Sequence, residues 1–319
     1  MKKFYVYLFI ILCICGNSLK CYSLSKTETV NHIQGIQNPI SNSINSFIDQ
    51  YLKATNEHNI SDINKFYAQN YISGDGLKRD DVIKLIKDTW IGYPDLKVTS
   101  VIKDIRANDL YATVETHDIS CGNSAAKSEV TNDAGALESE SHNIFFLQRF
   151  GKSWKIVSDK VIYERTTIRF GSAKPLKVSL YAPEQVMAGE SYTASLYAEI
   201  PDGMIALGSI AREPIVYPET KSDEVYRQIS STANCLERLM KANITNNNEL
   251  ATASIGYSEM TEDVLANPEV KLTGMAIILV RVNVVPQSQF VPQNDKLKIE
   301  PDIETNMLPE KSDKKDLKE

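Results

Sequence analysis

The side chains able to move a proton in this 319-residue sequence are scattered: Tyr51, Tyr67, Tyr163, Asp118 and Asp159, with His117 as the imidazole candidate. A buried carboxylate or imidazole beside a tyrosine is a workable acid/base set when its surroundings bring its pKa towards neutrality. Spacing sorts these residues. Tyr51 and Tyr67 recur at the interval of helical core residues, so their rings are expected in a core with a hydroxyl at its rim. Leu110, Ala112 and Val114 alternate as the apolar face of a strand, which turns Glu115 and His117 to the other side. Asp159, flanked by Val157 and Val161, shares the alternation of its apolar neighbours and is the polar side chain best placed to point inward. No residue is assigned a catalytic role. No CxxC, HExxH, P-loop, GxSxG or EF-hand pattern occurs, and His32, His58, His117 and His142 are too dispersed to suggest a metal site, so neither metal nor cofactor is expected.

Composition bounds what can position these groups. With 42% hydrophobic and 24% charged residues, the chain can bury the cores of about two ordinary domains. A formal net charge of −6 leaves no diffuse positive field to hold a phosphate backbone, which argues against nucleic acid as a partner. Met1-Lys2-Lys3 precedes an unbroken apolar run of 12 residues, Phe4 to Cys15. That suits a signal peptide over residues 1–23 but falls short of the ~20 residues a membrane-spanning helix needs. The chain is therefore expected to be exported, to a periplasm, a cell surface or the medium, with no membrane span after cleavage. The mature N-terminus is expected between Asn17 and Leu24. Cys121 and Cys235 lie in the two halves of the mature chain, as one disulfide or two buried thiols.

Residues 24–42 lack an apolar period and read as a surface lead-in. Ile44, Phe47, Ile48, Tyr51 and Leu52 then mark one face of a helix capped by Ser43 or Asn42. A second short helix, capped by Ser61, carries Ile63, Phe66 and Tyr67. After the turn Ser73-Gly74-Asp75-Gly76, a third buries Val82, Ile83, Ile86 and Trp90 and stops at Gly92-Tyr93-Pro94. Beyond Pro94 the period falls to 2. Strands are expected over 98–105 and 110–119, joined by a polar turn, and over 140–150 and 154–170 around Gly151-Lys152-Ser153. Residues 120–135 are small and polar and read as an exposed loop. The outcome is an α+β layer of three helices on a curved antiparallel sheet.

The order of helices, the helix end Trp90-Ile91-Gly92-Tyr93-Pro94-Asp95-Leu96 and the last hairpin with Trp154-Lys155-Ile156-Val157-Ser158-Asp159 resemble the NTF2-like superfamily, in its SnoaL-like branch, over residues 43–171. The resemblance implies a cone with a pocket between the helices and the concave sheet face, lined by Tyr51, Tyr67, Trp90, Phe145, Asp159 and Tyr163. Enzymes of this superfamily move protons with Asp, His and Tyr inside the cone, and the outer sheet face is where relatives tend to dimerise or dock another domain. The same fold also hosts binding modules, so it does not specify a reaction.

Residues 174–286 alternate in short runs, with hairpin turns at Ala182-Pro183-Glu184 and Asp202-Gly203, and resemble a bacterial Ig-like β-sandwich. Val225, Ile229, Ala233, Leu236 and Met240 keep a helical stripe, so a helix over 223–242 is expected to interrupt the strands. Met275 to Val280 is apolar on both faces and reads as a central strand. Residues 287–319 read as a disordered tail. The functional expectation is an exported non-enzymatic binding or protein-interaction module whose cone takes a small apolar ligand or a protein partner, or forms a homodimer. The alternative is an isomerase or dehydratase using acid/base groups in the cone.

Overall fold

The computed structural model describes residues 39–218, 224–259 and 271–287, so the leader, the first part of the lead-in and the tail beyond Gln287 lie outside the described residues. The first half runs α1 (Pro39–Asn56), α2 (Ile60–Phe66), α3 (Arg79–Gly92), β1 (Lys97–Ala107), β2 (Tyr111–Lys127), β3 (Ala134–Phe150) and β4 (Ser153–Gly171). Helix α1 includes residues 39–42 of the expected lead-in, and Ser43 is not its cap. Ser43 Oγ donates to the Ile40 carbonyl at 2.7 Å and accepts from Trp154 Nε1 at 3.0 Å, tying the helix to β4. Asn59, not Ser61, caps α2, its Oδ1 accepting from the Asp62 N–H at 3.1 Å. In α3, Leu85 is buried with Val82, Ile86 and Trp90, while Ile83 is only partly covered.

Most of the expected loop at 120–135 is strand. Cys121 pairs with Glu138, Asn123 with Ala136 and Lys127 with Ala134. Small polar residues have little strand preference, but a long neighbouring strand satisfies their backbone groups and overrides it. The turn after β3 follows expectation, with Gly151 at a φ of +64° that other residues rarely adopt.

The second half adds β5 (Val178–Tyr181), β6 (Gln185–Met187), β7 (Ser191–Ala198), β8 (Met204–Pro214), β9 (Arg227–Ile229), β10 (Cys235–Lys241), β11 (Glu249–Glu259) and β12 (Leu272–Val285). The expected inserted helix is not formed. Its described residues carry β9 and β10 instead, with Leu236 opposite Leu196 and Met240 opposite Tyr192. Residues four apart share one face of a strand as well as of a helix, so the stripe was ambiguous and pairing with β7 decided it. Cys121 and Cys235 are half-buried thiols and are not bridged.

One sheet runs through both halves in the order β1-β2-β3-β4-β12-β11-β8-β9, with β6 alongside β12. A three-stranded sheet, β10-β7-β5, faces part of it. The join is β4 against β12, from Gly171 opposite Gly274 to Arg165 opposite Val280. Strand β12 is buried on both faces, as its sequence predicts. Leu279, flanked by the partly covered Met275 and Ile277, packs in the core under the helices, while Ala276, Ile278, Val280, Val282 and Val284 belong to the core against the three-stranded sheet.

Candidate functional site

Two bulges in β4 decide which side chains face the helices. Trp154 and Ile156 face the helices. The register then shifts between the pairs Phe146/Ser158 and Leu147/Ile156, and buried Asp159 and Val161 follow. A second shift, between His142/Tyr163 and Asn143/Val161, puts Glu164, Thr166, Ile168 and Phe170 on that face. Each extra residue reverses the alternation, so Tyr163 leaves the inner face and Glu164 takes its place. Tyr163 instead lies half-buried outside, with the Arg165 guanidinium 5.9 Å from its ring centre.

The segment between α2 and α3 runs beside the first part of β4. The Ala68 N–H donates to the Ile156 carbonyl at 2.9 Å, the Ile72 N–H to Val157 at 3.3 Å and the Gly74 N–H to Asp159 at 2.8 Å. This pairing brings Tyr67, Tyr71 and Asp75 over the sheet. The hydroxyls of Tyr51 and Tyr67 are 2.7 Å apart, and Tyr71 donates to Asp159 Oδ1 at 2.9 Å. Tyr67 meets Tyr71 edge-on at 4.9 Å, and Tyr51 meets Phe145 at 6.1 Å. Tyr51, Tyr67, Tyr71 and Asp159 are all at most 4% exposed. Tyr51, Tyr67, Phe145 and Asp159 of the expected pocket set therefore converge, but as a filled core. Trp90 lies apart, stacked on His58 with ring centres 4.9 Å apart. His117 is on the outer face, as the alternation predicts, 2.8 Å from Glu140, and His142, its cross-strand neighbour, is 2.7 Å from Glu115.

The second half of the chain completes the inner polar set. Arg281, 1% exposed, donates to Asp75 Oδ1 and, through Nε, to Asn283 Oδ1 at 2.9 Å, while Asn248 Nδ2 reaches Asp75 Oδ1 at 2.8 Å. Arg281 directly follows Val280, the partner of Arg165, and so extends across β12 the row Asp118, Ser141, Glu164 on β2, β3 and β4. Asp118 Oδ2 accepts from Thr116 Oγ1 at 2.8 Å and Asn143 Nδ2 at 2.5 Å. Glu164 Oε2, Asp118 Oδ1 and Arg281 Nη1 are buried with no hydrogen-bond partner.

Burial, which disfavours the charged form, dominates the titration of these carboxyls. It raises Glu164 to about 8 against the pull of Arg281, and Asp118 to about 8 against the hydrogen bond from Asn143. Asp159 rises to about 6, since the Tyr71 hydrogen bond and the Arg281 charge offset much of its desolvation. Burial lifts the Tyr51, Tyr67 and Tyr71 hydroxyls well above their ordinary value, so all three are neutral donors. The arrangement can hold protons; it offers them no exposed reactant.

Sequence reasoning missed Tyr71, Asp75, Glu164 and Arg281. For Arg281 a signal existed: a lone cation inside an apolar strand that reads as buried on both faces needs a buried partner. Asp75 sat inside a turn motif, and Glu164 was hidden by the bulge. Hollows of about 560 and 450 Å³ open on the outside, the first between α1, α2 and the β3–β4 turn, the second beside Tyr111, Phe146 and Val157. Among the described residues no three His, Cys, Asp or Glu side chains are placed to hold a metal, and no helix is long and apolar enough to cross a membrane.

The hydroxyl pair invites a double-mutant cycle. Tyr51→Phe or Tyr67→Phe alone is expected to cost about 1 kcal/mol by leaving one buried hydroxyl unpaired, and the double variant no more than either single, measured by urea unfolding. Additive losses would show that the pair contributes nothing as a pair.

The site belongs to a three-helix layer on a curved antiparallel sheet. No family model and no curated protein matches the chain. Solved structures similar to it include a protein of Bdellovibrio bacteriovorus, with 13% identity and a TM-score of 0.32 over 38% of this chain and 39% of that one. A scytalone dehydratase-like protein of Novosphingobium aromaticivorans has 10% identity and a TM-score of 0.33 over 38% and 82%. The hexachlorocyclohexane dehydrochlorinase LinA-type3 of Novosphingobium barchaimii has 10% identity and a TM-score of 0.30 over 38% and 86%. The chain spans about two-fifths of the length of the first of these. Likeness at this level assigns neither family nor activity.

Proposed function

We propose that this chain is an exported, non-enzymatic binding and interaction module built on an NTF2-like domain whose interior serves as core, so that contacts are made outside the cone. One observation carries the reading: the acid/base side chains that meet in the cone are packed against one another at no more than 4% exposure, while the hollows open elsewhere. A reacting group must approach within hydrogen-bond distance of its base, and Asp159 is covered by Tyr71. The continuous sheet supports the interaction reading, because it gives the outer surfaces of both halves a common frame.

The enzyme reading, an isomerase or dehydratase, draws support from the partnerless atoms of Asp118, Glu164 and Arg281. The two readings separate in one experiment. Purified protein is incubated with enolisable ketones and β-hydroxy ketones in heavy water, and proton exchange and dehydration are followed by NMR. No acceleration above that given by Asp159→Asn is expected. Turnover lost in Asp159→Asn and Glu164→Gln would replace the binding reading. N-terminal sequencing of exported material is expected to start between Asn17 and Leu24, and a chain still starting at Met1 would remove the proposal that the leader is cleaved; absence of the protein from the exported fraction would remove the export proposal.

A further inference from the structure

We propose that the groove between α1, α2 and the β3–β4 turn binds a small aromatic acid, a flat apolar body carrying one carboxylate or sulfonate; the inference rests on the reading that contacts are made outside the cone. The groove has a volume of about 560 Å³, within the roughly 300–1,000 Å³ range of small-molecule sites. Its floor is aromatic: the partly exposed Phe66 meets Phe47 edge-on at 5.3 Å, and Trp154, only 4% exposed, backs them along the lining. The Trp154 ring is held in place by its hydrogen bond to Ser43 Oγ, so the floor is preorganised.

Charge selects the ligand. The chain as a whole has a net charge of −6, yet this groove is lined by four lysines and only two carboxylates. Both carboxylates are already engaged, Glu57 by Lys53 at 3.8 Å and Asp62 by Lys65 at 2.5 Å. Lys152 and Lys155 remain as surplus positive charge. The Lys155 ammonium bonds to the Lys65 carbonyl, an uncharged acceptor that leaves its charge uncompensated. Lys152, on the turn between β3 and β4, and Lys155, the third residue of β4, both line the groove, so an anionic head group can sit on the two ammonium groups while its ring rests on the partly exposed Phe66. A cationic ligand would meet repulsion there, and a neutral one would leave the ammonium pair unused.

The test uses the full chain and three probes: anilinonaphthalene sulfonate, naphthoate, and naphthylmethanol as the uncharged counterpart. Binding is followed by probe fluorescence and calorimetry. Naphthoate is expected to bind at least about tenfold tighter than naphthylmethanol, with affinity falling as salt is raised. Lys152→Glu/Lys155→Glu, one change on the exposed β3–β4 turn and one at the partly exposed start of β4, is expected to weaken both anionic probes at least about tenfold with an unchanged circular dichroism spectrum. Equal affinity for the acid and the alcohol, anion binding unaltered by the charge reversal, or no saturable binding would each overturn the inference. Anion binding that persists in the charge-reversed protein but is lost in Tyr51→Phe would place the ligand in the cone and overturn the wider reading as well. Ketone turnover without groove binding would overturn both independently.

Discussion

Arg281→Ala is expected to lower stability by about 3–5 kcal/mol, the usual loss when one partner of a buried ion pair is removed. In a chain of this size that corresponds to a fall in Tm of roughly 6–20 °C. Arg281 neutralises Asp75 from within the join between β4 and β12, and at 1% exposure no water can take over. Asp75 is itself held by Asn248, so the cost falls on contacts of the loop before α3 with β12 and with the residue just before β11. Buried pairs replaced as a whole by apolar residues often lose little, so Asp75→Leu/Arg281→Met is expected to recover most of the loss. Urea unfolding of the three proteins checks this. A loss below about 1 kcal/mol in Arg281→Ala would mean that the guanidinium is dispensable.

The second large effect is a stability that falls as pH rises. Asp118 and Glu164 have folded-state values of about 8, far above the ordinary carboxyl range of about 4. Between these limits the folded protein keeps both protons and the unfolded chain has released them. The unfolded state then binds fewer protons, and the slope of unfolding free energy against pH is negative. Each group lowers stability as pH rises across that window, and its effect ends once pH passes the folded value. Asp159, at about 6, adds the same sign over a narrower range. The protein is thus expected to be most stable on the mildly acidic side and to weaken from about pH 4 to 8, opposite to a protein held by ionised surface carboxylates. Asp118→Asn/Glu164→Gln is expected to flatten the profile. A wild-type stability that climbs from pH 5 to 8 would sink this account.

The exported, two-part reading and the outline of the first part came from signals local in sequence. The helical intervals through Ile44, Phe47, Ile48 and Tyr51, the stop at Gly92-Tyr93-Pro94 and the period-2 runs after Pro94 reflect backbone geometry that a few neighbouring residues dictate. Met275 to Val280 announced a strand covered on both faces because only burial on both sides removes the polar alternation. Where two geometries share a spacing, sequence had nothing to choose with: Leu236 and Met240 fit one helical turn and two strand repeats equally well, and the free edge of β7 settled the matter.

The inner site was decided by tertiary structure almost alone. Alternation along β4 counts from whichever residue is taken as inward, and two bulges shift that count, first letting Asp159 in after Ile156 and then exchanging Tyr163 for Glu164. A bulge depends on how a strand must curve against its partners, and the strand's own residues do not mark it. Tyr71 and Asp75 reach the sheet because their segment pairs with β4, and Arg281 arrives from more than a hundred residues away because β12 joins the same sheet. Sequence determined which residues could handle a proton and which segments had a face to bury. The tertiary structure determined which of them meet, because burial, partner and pKa are properties of a place that distant segments build together.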